Sequence, residues 1–88
     1  MTHEYKTKGT CSSRITFDLD GDIVRNVKFT GGCNGNLKGI SSIVDGMKVE
    51  DIEKKLGGIT CGFKNTSCPD QLAKAVSEAY AKEKAEAQ

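Results

Sequence analysis

Between Arg14 and Leu19 the apolar residues Ile15, Phe17 and Leu19 alternate with Thr16 and Asp18. This period-two pattern predicts a strand with one buried face. Asp20-Gly21 supplies a tight turn. Beyond it Ile23, Val27 and Phe29 fall at one parity with Arg25 among them, which predicts a second strand up to about Thr30, antiparallel to the first. A short opening strand is expected around Glu4 to Lys8, ahead of the turn-like TKGTCSS.

After Gly31-Gly32-Cys33 the period changes. Leu37, Ile40, Val44 and Met47 recur three or four residues apart, so a first helix is expected, with Asn34 or Asn36 as its N-cap and Gly46 at its close. Val49, Ile52 and Leu56 carry the same spacing through VEDIEKKL, a short second helix ending at Gly57-Gly58 with lysines in its last turn. Ser67 to Asp70 matches a capping box and Pro69 suits a first helical turn, while Leu72, Val76, Ala79 and Tyr80 mark the buried face of a third helix. The tail AKEKAEAQ is expected to fray. Strands followed by helices predict an α+β fold, a small antiparallel sheet covered on one face by about three helices.

Composition narrows the functional classes. The chain has 88 residues, enough for a single domain with its core in about residues 5–80 and a frayed tail over 81–88. Thirteen basic against 12 acidic residues give a net charge of +1 without a dense basic run, which argues against nucleic-acid binding. No segment is apolar enough for a membrane span, and the first ten residues carry no apolar secretory segment, so a cytoplasmic location is expected. A core this small gains from an extra source of stability such as a metal. In a reducing compartment four cysteines point to ligation or catalysis more than to disulfides.

Those four cysteines stand at the edges of the expected elements. Cys11 precedes the first hairpin strand, Cys33 sits in GGCNGN between strand and helix, and Cys61 and Cys68 flank the loop into the last helix. Cysteine is also a common small core residue, but such residues favour element interiors. Glycines beside Cys33 and Cys61 suggest close backbone approach, with Gly31, Gly32 and Gly35 supplying freedom. The intervals of 21, 27 and 6 residues between consecutive cysteines match neither a zinc finger nor a C-x-x-C redox pair. Cys33 and Cys68 precede or cap helices, where the dipole favours a thiolate. GGCNGN as an anion nest is weakly supported without a Walker or Rossmann fingerprint. His3, the one histidine, is expected to be solvated. Asp18, Asp20 and Asp22 are explained by turn chemistry, and Asp70 by a helix start or a supporting role beside Cys68.

The run Thr66-Ser67-Cys68-Pro69-Asp70, together with GTCS at Cys11, VKFTGGCNGNLKGI at Cys33 and GITCG at Cys61, resembles the TSCPD-domain family from about Tyr5 to Tyr80. Similar domains occur as small stand-alone bacterial proteins and at the C-terminus of adenosylcobalamin-dependent ribonucleoside-diphosphate reductases. The resemblance implies a link to deoxyribonucleotide and DNA synthesis. It does not imply catalysis, because 88 residues cannot supply the barrel that such reductases use.

More distantly, the order of Cys11, Cys33 and Cys68 is similar to that of NifU-type iron-sulfur cluster scaffolds, which implies a scaffold-like fold. Ser12-Ser13 and Ser67 stand where the scaffold has its non-cysteine ligands, and Cys61 offers a fourth thiolate instead. The expectation is a metal held by Cys11, Cys33, Cys61 and Cys68, zinc first and an iron-sulfur cluster second, with Asp70 in support. The function expected is an accessory module whose protein partner is a ribonucleotide reductase or an iron-sulfur assembly component. A reversible Cys61–Cys68 disulfide that serves a reductase is the redox alternative.

Overall fold

A computed structural model describes residues 2–7, 12–31, 34–60 and 66–87. Three strands, β1 (Thr2–Lys6), β2 (Ser12–Asp20) and β3 (Ile23–Gly31), precede three helices, α1 (Asn34–Val44), α2 (Val49–Leu56) and α3 (Cys68–Ala87). The strands form one antiparallel sheet in the order β1-β2-β3. This is the expected α+β arrangement with strands first.

Pairing sorts the side chains onto two faces. His3 lies opposite Phe17, Tyr5 opposite Ile15, Ile15 opposite Phe29 and Leu19 opposite Val24, so these residues share one face. The other face carries Glu4, Lys6, Arg14, Thr16, Asp18 and Lys28. Helices cover the first face. Ile15, Phe17, Leu19, Val24 and Val27 pack there with Val44 of α1, Val49 and Ile52 of α2, and Leu72, Ala73, Ala75, Val76 and Ala79 of α3. Burying each large aliphatic or aromatic side chain is worth about 1.5–3 kcal/mol, which makes this layer the main source of stability.

The second strand of the hairpin departs from simple alternation. Ile23, Arg25, Val27 and Phe29 share a parity in the sequence, yet Val24 is fully buried and Ile23 is not. A bulge explains the difference. The register shifts between Thr16 and Asp18, where Asn26 takes a φ of 55°, so Val24 before it and Val27 after it both reach the core. Asn is among the few non-glycine residues that tolerate this conformation. Its N–H donates to Asp45 Oδ1 at 3.0 Å and its amide to Asp18 Oδ2 at 2.8 Å. Asp18 also accepts from Thr2 Oγ1 at 2.5 Å, and these two hydrogen bonds hold its carboxyl below the usual range.

Backbone bonds secure the turn end of the hairpin. Val24 N–H donates to Met47 O at 2.8 Å, Gly46 N–H to Val24 O at 2.7 Å and Val49 N–H to Asp22 O at 2.8 Å. Gly46 makes this possible with a φ of 85° just past α1, a conformation costly for other residues.

Both termini of the chain are better anchored than the sequence suggests. His3 is not solvated: its ring stacks on Phe17 at 5.6 Å between centroids and its Nε2 bonds to Glu83. That partner lies in the segment expected to fray, and α3 in fact continues to Ala87. The opening strand begins at Thr2, earlier than the expected Glu4. Asn36 lies within α1, so it is not that helix's N-cap.

Candidate functional site at the cysteine end of the sheet

Cys68 is the first residue of α3 and is half-buried. Ser67, not Cys68, caps the helix, since Asp70 N–H donates to Ser67 Oγ at 3.2 Å. The same hydroxyl donates to Ile59 O at 2.7 Å, which ties the helix start to the chain leaving α2. Cys68 therefore stands in the first turn of α3, at the positive end of the helix dipole.

Ser12 meets it from the sheet. Its Oγ lies 3.1 Å from Cys68 Sγ, within hydrogen-bond distance, and the residue is 2% exposed. Ser12 opens β2, pairs with Gly31 at the end of β3, and its carbonyl accepts from Thr7 Oγ1 beyond β1. Gly31 turns out of the strand with a φ of 78°, where a Cβ would be strained. Gly35 lies in α1, with no described atom within 4 Å of where a Cβ would stand.

Asp70 does different work. Its Oδ1 accepts from Gly58 N–H at 2.7 Å and its Oδ2 from Thr66 Oγ1 at 2.6 Å, with Lys74 Nζ 3.3 Å from the latter oxygen. Gln71 Nε2 donates to Thr66 Oγ1 at 2.9 Å and completes the group. The Thr66 hydroxyl first, then the Gly58 amide, hold the Asp70 carboxyl below the usual range against the opposing effect of burial. Asp70 thus pins both shoulders of the 58–66 segment to the start of α3. With both oxygens engaged, its role here is a brace for that segment.

Of the sequence-derived site residues, Cys68, Gly31, Gly35 and Asp70 are placed as given above, and Cys11, Gly32, Cys33 and Cys61 lie outside the described residues. Among the described residues no three His, Cys, Asp or Glu side chains are grouped to hold a metal. Ser12, Thr66 and Gln71 are contributors that sequence reasoning did not single out. Thr66 stood inside the quoted TSCPD run and Ser12 inside the quoted GTCS segment, but the contact of Ser12 with Cys68 is disclosed only by the sheet.

The fold and this end of it define a small α+β domain in which the half-buried Cys68 sulfur is set at a helix start against a strand end. The TSCPD-domain profile matches residues 1–80, and the chain belongs to the TSCPD-domain family. No curated protein and no solved structure matches the chain significantly. Among the described residues no helix is long and apolar enough to cross a membrane.

Proposed function

We propose that the chain is a cysteine-thiolate metal-binding accessory module, zinc-loaded, related through its family to ribonucleotide reductase and deoxyribonucleotide synthesis in the cytoplasm. The observation that carries this reading is the contact between Ser12 and Cys68, which closes the strand ends of the hairpin onto the start of α3. Three described residues at this end are close neighbours in the chain to the other cysteines: Ser12 adjoins Cys11, Gly31 is two residues from Cys33, and Ile59 is two residues from Cys61. Cys11, Cys33, Cys61 and Cys68 are the proposed ligands.

The donor chemistry fits. Thiolates are the preferred ligands of structural zinc, and a closed set of four would add folding free energy to a core of modest size. The protein's own residues prepare the site. The Ser12 hydroxyl lies within hydrogen-bond distance of the Cys68 sulfur, and Asp70 bonds to Gly58 and Thr66 on either side of the Cys61 segment. Such bracing fixes ligand orientation and is worth about 10- to 100-fold in metal affinity at comparable sites. The module would act by presenting a protein surface, with a reductase or an iron-sulfur assembly component as partner.

Anaerobic purification without chelator, followed by measurement of zinc, iron and sulfide per chain, tests the reading. About one zinc per chain without colour, falling towards zero in Cys68→Ser, is the expected result. Iron and sulfide with brown colour would replace it by the cluster-scaffold reading. A metal-free chain would leave the redox reading, which requires a reversible thiol change between Cys61 and Cys68.

A further inference from the structure

The outer edge of β3 is treated differently along its length. Its first half is covered: Val24 bonds to Gly46 and Met47, Ile23 bridges to Lys48, and Asn26 N–H reaches Asp45. Beyond Asn26 none of the described residues continues this backbone cover. Val24 turns its N–H and C=O outward, so Leu19–Val24 is a non-hydrogen-bonded pair, and alternation along β2 makes Ile15–Phe29 one too. The Phe29 N–H and C=O therefore also face away from β2, and no described loop or helix bonds to them.

A groove of about 490 Å³ runs beside this open stretch, between β3 and α1. Val27, Phe29 and Leu37 line it with Lys28, Lys38 and two serines; among the described residues no carboxylate lines it, and Asp45, already bonded to Asn26, lines the adjoining hollow. Lys28 and Lys38 are both exposed. Phe29 stands on the sheet face that α1 covers and Lys28 on the other, so an added strand meets an apolar neighbour and a cation in alternation.

We propose that this open half of β3 docks an extended acidic segment of a partner protein, which joins the sheet as a fourth strand. Its backbone bonds to Phe29, its apolar side chains lie against Phe29 and Leu37, and its alternate carboxylates face Lys28. The charges select this occupant. Two copies joined edge to edge through β3 would set the Lys28 and Lys38 of each beside those of the other, a repulsive arrangement. Pairing of β3 with the β1 of another copy would leave free edges and grow without closing. A lysine on a strand edge also serves as a guard against pairing, and a guard rejects acidic and basic strands alike.

The test titrates the uniformly ¹⁵N-labelled full chain with a short blocked peptide of alternating glutamate and valine, then with its lysine-for-glutamate counterpart. The acidic peptide is expected to shift the Phe29 amide and slow its exchange with solvent. Affinity should fall about tenfold in Lys28→Glu/Lys38→Glu, and fall with added salt on the unaltered chain. Equal binding of the lysine peptide overturns the proposal, and so does no shift at Phe29 with either peptide. A Phe29 shift that depends on protein concentration alone assigns the edge to a second copy and also overturns it. Should the double variant fail to fold, salt dependence and the lysine peptide on the unaltered chain still decide.

Discussion

The two ends of the β2–β3 hairpin are held by different kinds of bond. At the turn end, backbone groups of Asp22 and Val24 bond to those of Gly46, Met47 and Val49. At the opposite end one backbone bond, from Thr7 N–H to Ser13 O at 3.3 Å, is outnumbered by side-chain contacts: the Ser12 hydroxyl at the Cys68 sulfur, Ser67 at Ile59, and Asp70 at Gly58 and Thr66. Backbone bonding tolerates many sequences, whereas side-chain bonding requires these residue types. An end built from hydroxyls, a carboxylate and a thiol at a helix start makes specific demands on residue type.

The largest expected effect strikes both ends together. Phe17→Ala, in the shared core at 1% exposure, should cost about 3–5 kcal/mol in urea unfolding. Next comes the brace at the cysteine end. Asp70→Asn presents an amide donor to either the Gly58 N–H or the Thr66 hydroxyl and should cost about 1–3 kcal/mol. This effect depends on pH. Because the folded chain holds the Asp70 carboxyl below its usual range, its contribution is fully present above about pH 4, where an unfolded Asp is ionised, and is lost as pH falls through the folded value. Acid unfolding of Asp70→Asn should accordingly show a flatter pH dependence than that of the parent chain, and an identical slope would contradict the brace.

A smaller effect separates the ends. Gly46→Ala places a Cβ at a φ of 85° and should cost about 1 kcal/mol while leaving zinc content unchanged. Zinc content is the discriminating readout, since Cys68→Ser should reduce it. Loss of zinc in Gly46→Ala would show that the two ends are not independent. The smallest effect belongs to the terminal latch: Glu83→Gln, removing a part-exposed charge that bonds to His3, should change stability by about 0–1 kcal/mol.

Much of this architecture is legible in the sequence because periodicity reports burial. The alternation of Ile15, Phe17 and Leu19, the spacing of Val49, Ile52 and Leu56, and the Ser67–Asp70 cap all correspond to observed elements. Alternation misleads at Asn26, where a bulge lets Val24 and Val27 both face the core, because parity counting assumes one residue per pairing step. His3 was equally opaque. Its partners Phe17 and Glu83 are distant in sequence, so only the folded sheet and the long α3 disclose the contact. At the candidate site the TSCPD run directs attention to Cys68 and Asp70. The GTCS segment contains Ser12, but its contact with Cys68 becomes visible only when pairing with Gly31 fixes where β2 begins.

The central claim is that four thiolates of this chain hold one zinc, and X-ray absorption at the zinc edge of the purified protein tests it most directly. The account predicts a single shell of about four sulfurs near 2.3 Å. A shell dominated by nitrogen or oxygen near 2.0–2.1 Å, or no stoichiometric zinc to measure, would contradict it.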